Sequence, residues 1–329
     1  VSILVAPDSF KGTFPAEDVA AHIAAGIRAA GGTAVELPVA DGGEGTFEVL
    51  VRGLDARPVR VRTVGPWGDD VETVVALAAD GTAVVELAFA SGLNLPSTGD
   101  RDPVRASTYG TGVLMAEAVR LGARRVLVAA GGSATTDGGA GAIAAIEERG
   151  GLGGAEVVVL SDVTTRFANA ARVFGPQKGA DPATVEVLTR RLEAQADGFA
   201  RELGRDPRPV ARTGAAGGFS GGMWAQYGAR LVSGADYVLD LLGFDARAAA
   251  STAVVVGEGR LDSQTGQGKI IAAILARSGT TPVYAVVGSV HEDLGGYADN
   301  FAGIIVASDA EALTAAGSHL ARITGHALS

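Results

Sequence analysis

The stretch VSILVAPDSFKGTFPAEDVAAHIAAGIRAAGGTAVELP, residues 1–38, decides the fold class. Val1–Ala6 is apolar and rich in β-branched side chains, as a buried strand is. After a glycine-containing turn, Pro15–Ala30 carries Val19, Ile23 and Ile27 at helical spacing, with Pro15 where a first turn tolerates proline. Thr33–Pro38 reads as the next strand. Strand, helix and strand in this order form a βαβ unit, the building block of a parallel sheet.

Outward from this opening the pattern changes near Arg57. Val59–Val64, Val71–Leu77 and Ala83–Leu87 are short strands separated by the turn signals Gly65-Pro66 and Asp80-Gly81, which predicts an antiparallel meander. Alternation then resumes. The spacing predicts a helix over 111–121, a buried strand over 125–130, a helix over 138–149, a strand over 157–160 and a long polar helix over 182–203. A strand over 253–256, a helix over 269–277, strands over 283–287 and 304–307 and a helix over 310–323 complete the chain. The expected fold is therefore α/β with two domains. A parallel-sheet domain built from both chain ends (1–56 plus 252–329) encloses an inserted mixed α/β domain with antiparallel strands (57–251).

Composition narrows the function. With 47% hydrophobic and 19% charged residues among 329, a large core is available. Net charge is −10 and no basic stripe is visible, which argues against a nucleic-acid partner. No apolar run approaches the roughly 18 residues of a membrane span, so no membrane partner is expected. Val1–Ala6 lacks a basic n-region and reads as a strand, not a signal peptide. The absence of cysteine excludes disulfides, thiolate zinc sites and a cysteine nucleophile, and suits a reducing cytoplasm. The 48 glycines, about twice ordinary usage, gather in short runs between strands and helices, where turns or close backbone approach need them.

Among the 27 basic residues only Lys11, Lys178 and Lys269 are lysine, and each adjoins a glycine. A compact ammonium beside a loop with accessible N–H groups is what a phosphate site uses. Chance adjacency explains one such pair more easily than three.

Four further stretches follow predicted strands, where open α/β sheets bind ligands. Asp8-Ser9-Phe10-Lys11-Gly12 follows the first strand and serves either as a site or as a helix cap. Ala40-Asp41-Gly42-Gly43-Glu44-Gly45 follows the second and suits either a divalent cation or a polarised hydroxyl, or is a tight turn with solvated charges. Gly131-Gly132-Ser133-Ala134-Thr135-Thr136-Asp137-Gly138-Gly139 lies between a strand and a helix, the layout in which backbone N–H groups cradle phosphate. Gly257-Glu258-Gly259-Arg260-Leu261-Asp262 leads through Gly266-Gln267-Gly268-Lys269 into a helix. That run is no Walker A motif, because Ser263 and Ile270 stand where Gly and Ser or Thr belong. No Gly-x-Gly-x-x-Gly follows the first strand, which argues against a dinucleotide-dependent oxidoreductase. The histidines His22, His291, His319 and His326 lie outside every glycine motif, against Ser-His-Asp chemistry.

Together these strings resemble the class I glycerate kinase family. To those quoted are added Thr108-Tyr109-Gly110-Thr111-Gly112, Phe174-Gly175-Pro176-Gln177-Lys178-Gly179-Ala180 and Gly214-Ala215-Ala216-Gly217-Gly218, in the family's order and spanning nearly the whole chain. Ser161 stands before Asp162 where relatives often carry Cys, and the stretch between Gly139 and Val157 is shorter than in many. The resemblance implies a flavodoxin-like domain beside a second mixed one, and transfer of the ATP γ-phosphoryl group to D-glycerate, usually at the 2-hydroxyl. Phosphoryl transfer asks mainly for positioning and charge stabilisation. Asp8, Lys11, Asp41, Asp137, Lys178 and Lys269 are then the catalytic candidates, with Asp41 or Asp137 as the base. Gly131, Gly132, Ser133, Thr135, Gly138, Gly217 and Gly218 would hold the nucleotide, and Arg105, Arg260 and Ser9 the glycerate. Mg²⁺ would sit on Asp41, Asp162 or Asp262. A glycerate 3-kinase and a non-catalytic binder of sugar acids or nucleotides remain open alternatives.

Overall fold

The computed structural model of the chain describes residues 2–262, 269–291 and 294–326. In chain order its strands are β1 (Ser2–Pro7), β2 (Ala34–Glu36), β3 (Arg57–Val64), β4 (Asp70–Leu77), β5 (Thr82–Glu86), β6 (Arg125–Ala129), β7 (Glu156–Leu160), β8 (Arg230–Val232), β9 (Ser251–Leu261), β10 (Val283–Val290) and β11 (Gly303–Val306). They form two sheets, and parallel pairs predominate in both.

The first compact unit comprises Val1–Asp41 and Ala235–Ser329. Its sheet runs β11-β10-β9-β1-β2 with every pair parallel. Counted along the unit's own strands the order is 2-1-3-4-5, so the connection reverses between β1 and β9. A crevice opens there outside the carboxyl ends. Ile3, Val5, Ala253 and Val255 alternate along their strands onto one face, where Ile23, Ile27, Leu313 and Leu320 meet them. Those four come from the helices Ala16–Ala29 and Ala310–His326.

These two helices pack backbone to backbone. A Cβ on Gly26 would lie 1.8 Å from the Thr314 carbonyl oxygen, and one on Gly317 2.0 Å from that of Ile23. The Ser318 hydroxyl donates to the Gly26 carbonyl at 3.0 Å, closing the crossing with a hydrogen bond.

The second unit is Gly42–Gly234, with sheet order β3-β4-β5-β6-β7-β8. β3, β4 and β5 pair antiparallel, as the meander reading expects, and β5 through β8 pair parallel. Val85, Val126, Val128, Val157 and Val159 form its core with Leu114, Met115, Ile146 and Phe219. A smaller cluster of Phe167, Leu188, Leu192 and Phe199 lies under the helix Pro182–Leu203.

Two elements here are hidden in the sequence pattern. β8 is three residues long, too short for periodicity to register. The helix Phe219–Tyr227 carries Gly221 and Gly222, which lower its intrinsic propensity. Packing demands both: a Cβ on Gly221 would lie 2.3 Å from the Phe167 ring, and one on Gly222 2.2 Å from the Gly138 carbonyl oxygen. The helix Thr46–Gly53, which the sequence reading places in the first domain, belongs to this unit. Its Phe47 N–H donates to Glu86 at 3.1 Å, and the Phe47 and Phe89 rings meet at 5.1 Å.

The glycine crossing yields a stability prediction. Gly26→Ala should lower stability by about 2–3 kcal/mol through overpacking, read as a lower urea midpoint. Gly198→Ala, in the open interior of the helix Pro182–Leu203, should instead raise stability slightly, by at most ~1 kcal/mol. Equal midpoints for parent and Gly26 variant would show that the two helices re-space at no cost.

Candidate active site

In the first unit the segment after β1 crosses a glycine floor. Asp8 N–H donates to the Gly257 carbonyl at 2.9 Å. A Cβ on Gly259 would come within 3.4 Å of the Phe10 backbone, and one on Gly288 within 2.6 Å of the Gly259 carbonyl oxygen. Residues without side chains therefore let the segment 8–11 lie across β9 and β10. Phe10 and Phe14 then close a tight turn through mutual backbone hydrogen bonds of 2.8 and 3.0 Å. Gly12 takes φ +75° in that turn, a conformation glycine adopts without strain, and Lys11 is left exposed at its tip.

The result is a cleft of about 600 Å³ at the carboxyl ends of the strands, lined among others by Asp8, Ser9, Lys11, Asp41, Glu258 and Arg260. Burial, reinforced by the charge of Asp41, pushes the Asp8 carboxyl up to about 7. Burial likewise pushes Glu258 up to about 8, with Asp8 and Asp262 adding to it and Lys11 opposing. Ser9 Oγ and Glu258 Oε1 are buried without a hydrogen-bond partner among the described residues. Orphaned polar atoms of this kind cost free energy unless a ligand meets them.

In the second unit the glycine run after β6 is organised by Asp137. Its carboxylate accepts from Thr108 N–H and Thr108 Oγ1, both at 2.8 Å, and from Gly139 N–H and Gly141 N–H, both at 3.1 Å. The first turn of the helix Ala140–Glu148 is thereby supplied with acceptors from within the protein, Ala142 N–H going to Thr108 Oγ1 at 3.0 Å. That differs from a helix N-terminus left open for phosphate, because the capping carboxylate occupies the anion's place. Lys178 is buried, and its ammonium donates to the Thr135 carbonyl. Burial pulls it down to about 8 against the opposing pull of Asp137. Arg191 donates to the Val104 carbonyl at 2.7 Å and to that of Thr136, while Gln195 donates to Gly138 at 3.0 Å.

The expected residues thus divide between the units. Asp8, Ser9, Lys11, Asp41 and Arg260 meet in the first cleft. Asp262 follows β9, close enough to act electrostatically on Glu258. Lys269 opens the helix Lys269–Arg277, and its side chain lies outside the described residues, as does the run Gly266-Gln267-Gly268. In the second unit, beyond the end of β6, Gly131 is half-buried and Gly132 exposed, whereas Ser133, Thr135 and Gly138 are buried. Gly217 and Gly218 pack inside, with a Cβ on Gly217 falling 1.9 Å from the Thr135 carbonyl oxygen. Asp162, after β7, accepts from Ser233 Oγ and Gly234 N–H, both at 2.9 Å. Arg105 lines a separate cleft of about 450 Å³ with Trp67, Asp69 and Asp102.

Sequence reasoning missed Glu258, Glu86 and Arg191. The signal for Glu86 is a lone acid closing the apolar run Ala83-Val84-Val85. No three His, Asp or Glu among the described residues form a cluster able to hold a metal alone. Mg²⁺ ordinarily needs only one or two carboxylates beside phosphate and water oxygens, and the donors in the first cleft are hard oxygens of that kind.

Three comparisons bear on identity. The model of the glycerate kinase family matches residues 3–151 and 148–323. The chain is 35% identical to glycerate 2-kinase of Escherichia coli (strain K12), covering 90% of this chain and 87% of the relative. It is 36% identical to glycerate kinase of Bacillus subtilis (strain 168), covering 89% and 86%. A crystal structure of a protein assigned as glycerate kinase 2 from Salmonella typhimurium LT2 superposes with a TM-score of 0.87 at 31% identity, over 100% of this chain and 99% of that one.

The four bonds to Asp137 carry a prediction of their own. Asp137→Ala should cost about 3 kcal/mol or more of unfolding free energy, because it strands several buried donors at once. Asp137→Asn, which retains one acceptor oxygen, should cost less. Chemical unfolding that ranks the two in the opposite order would refute this account of the loop.

Proposed function

The chain belongs to the glycerate kinase family, and from that premise we propose that it moves the γ-phosphoryl group of ATP to the 2-hydroxyl of D-glycerate, giving 2-phosphoglycerate and ADP. It is an enzyme, a phosphotransferase acting on glycerate. The observation that supports the finer reading is the first cleft. It gathers an exposed ammonium, a guanidinium, three carboxyl groups and an orphaned hydroxyl at the strand ends.

Each group has a task that its chemistry suits. Lys11 offsets phosphate charge as a mobile point cation, and Arg260 offers a planar fork to the glycerate carboxylate. Ser9 Oγ is free to bond a ligand oxygen. The Asp8 and Asp41 pair shares the work of accepting the hydroxyl proton as the oxygen attacks phosphorus and ADP departs. Asp137 is less suited to that role, since its carboxylate already accepts four hydrogen bonds. Asp137 and Lys178 act on the glycine loop, ordering the Gly131-Gly132-Ser133 end that would meet the nucleotide. Lys269 is carried to a phosphate role by resemblance alone. Asp41, with Asp262 or Asp162 as further candidates, would hold Mg²⁺, which would supply positive charge to offset that growing on the phosphate.

In the same reading the first unit is a flavodoxin-like domain drawn from both ends of the chain, with the second inserted between its halves. No helix among the described residues is long and apolar enough to cross a membrane. We place the enzyme in the cytoplasm.

A coupled assay with ATP, Mg²⁺ and D-glycerate tests the reading, using enolase as reporter with and without phosphoglycerate mutase. Signal from enolase alone is the expected result; signal only after mutase is added would mean phosphorylation at the 3-hydroxyl. Binding without ADP formation would mean a non-catalytic protein. Lys11→Met should lower kcat/KM by roughly two to three orders of magnitude, the scale of losing one electrostatic group at such a site. Near-parental turnover in that folded variant would remove Lys11 from the mechanism.

A further inference from the structure

Glu86 is the last residue of β5 and lies in register with Ala129, the last residue of β6. It therefore stands on the carboxyl edge of the parallel part of the second sheet, in the same row as the half-buried Gly131 and the exposed Gly132. The backbone around it is close-packed. Gly131 N–H donates to the Gly42 carbonyl at 3.0 Å, and a Cβ on Gly131 would fall 2.4 Å from the Cα of Gly43. Ligands of open α/β sheets bind along such an edge.

The side chain is only 4% exposed, yet it is half satisfied. Oε2 accepts the Phe47 N–H at 3.1 Å, while Oε1 accepts no hydrogen bond from any described residue. The charged groups acting on it are Glu48 and Glu44; none from β4, β6 or the helix Tyr109–Arg120 offsets them. A buried carboxyl kept for structure is normally paired with a cation or fully hydrogen-bonded. This one has neither: Oε2 is held by Phe47, and Oε1, which is not sealed in, is the oxygen left for solvent or an incoming ligand at the sheet edge.

We propose that Glu86 contacts ligand directly, donating a hydrogen bond from Oε1 as a neutral acid to an anionic oxygen of glycerate carboxylate or nucleotide phosphate. This rests on the reading of the chain as an ATP-dependent glycerate kinase. Burial first, then Glu48 and Glu44, push the carboxyl up to about 8. The donor is therefore present below about pH 8 and is lost as pH rises through that value. A bound anion stabilises the protonated form further, so binding at or above this pH draws a proton from solution.

The test is titration calorimetry of the full chain with D-glycerate and, separately, with MgADP, at pH 8.5 in two buffers of different ionisation heat. Asp8 and Glu258 also exchange protons, so the quantity read is the uptake of wild type minus that of Glu86→Gln. We expect a positive difference, up to one proton, with one of the two ligands, which identifies the oxygen that Glu86 serves. Glu86→Gln, still a donor and still an acceptor for Phe47 N–H, should bind more tightly than Glu86→Leu. The Leu variant should lose roughly 10- to 100-fold in affinity, the worth of one hydrogen bond to a charged group. No difference in proton uptake with either ligand would overturn the proposal. A Glu86→Gln variant that binds normally but loses turnover by orders of magnitude would also overturn it, since Glu86 would then accept a proton and not donate one. Because binding and not turnover is read, an inactive wild type in the coupled assay would sink the kinase reading alone.

Discussion

Backbone lying directly on backbone at the carboxyl edges of the sheets is the constraint from which the rest follows. Gly257, Gly259 and Gly288 make β9 and β10 flat enough for the segment carrying Asp8, Ser9 and Lys11 to cross them. In the second unit Gly131 against Gly43 and Gly217 against Thr135 bring loops of distant sequence into van der Waals contact. A methyl group at Gly131, Gly217 or Gly288 would fall within 2.6 Å of backbone atoms and force the segments apart. Part of the high glycine content is thus a packing requirement, at the strand ends as at the Gly26–Gly317 crossing, and chain flexibility is a poor description of that part.

Bringing backbones this close leaves little room for water, and carboxyls at the strand ends are desolvated as a consequence. Asp8, Glu86 and Glu258 all lie well above the usual carboxylate range, and burial is the largest cause for each. Each sits at or just beyond the carboxyl end of a strand or in its last residues. Unpaired buried carboxyls weaken the empty protein, and a stretch of apolar side chains would be more stable there. Among the described residues the carboxyls raised by burial all stand at one edge of their sheet, which ties the cost to the site. Asp137 makes the contrast: equally buried, it is satisfied by four donors, and its work is to shape the loop.

Much of this was legible in the sequence because it is periodic or local. The βαβ opening, the meander and the parallel strands after it all announce themselves through alternation and turn residues. β8 did not, being too short, and the helix Phe219–Tyr227 did not, because Gly221 and Gly222 serve tertiary contacts that local propensity cannot report. The candidate site was legible where residues adjoin one another in the chain, as in Asp8 to Gly12. Glu258 lay inside a quoted motif but was passed over, since its importance comes from burial beside Asp8 and Asp262. Arg191 carried no signal at all; its two backbone acceptors, Val104 and Thr136, are far from it in sequence.

The three lysines show how one sequence pattern covers different physics. All adjoin glycine, which suggested a common phosphate role. Lys11 stands at the exposed tip of a turn that Gly12 makes possible, free to move toward an incoming anion. Lys178 precedes Gly179, whose φ of +88° ends the turn Pro176–Lys178, and its ammonium is turned inward onto the Thr135 carbonyl. An ammonium fixed to a carbonyl in a dry interior has exchanged reach for order: it positions the loop by electrostatics and gives up the rotational freedom that phosphate capture exploits. Glycine beside lysine therefore marks a sharp change of chain direction. Whether that change delivers the charge to solvent or to the core depends on what the turn packs against, which is a property of the fold.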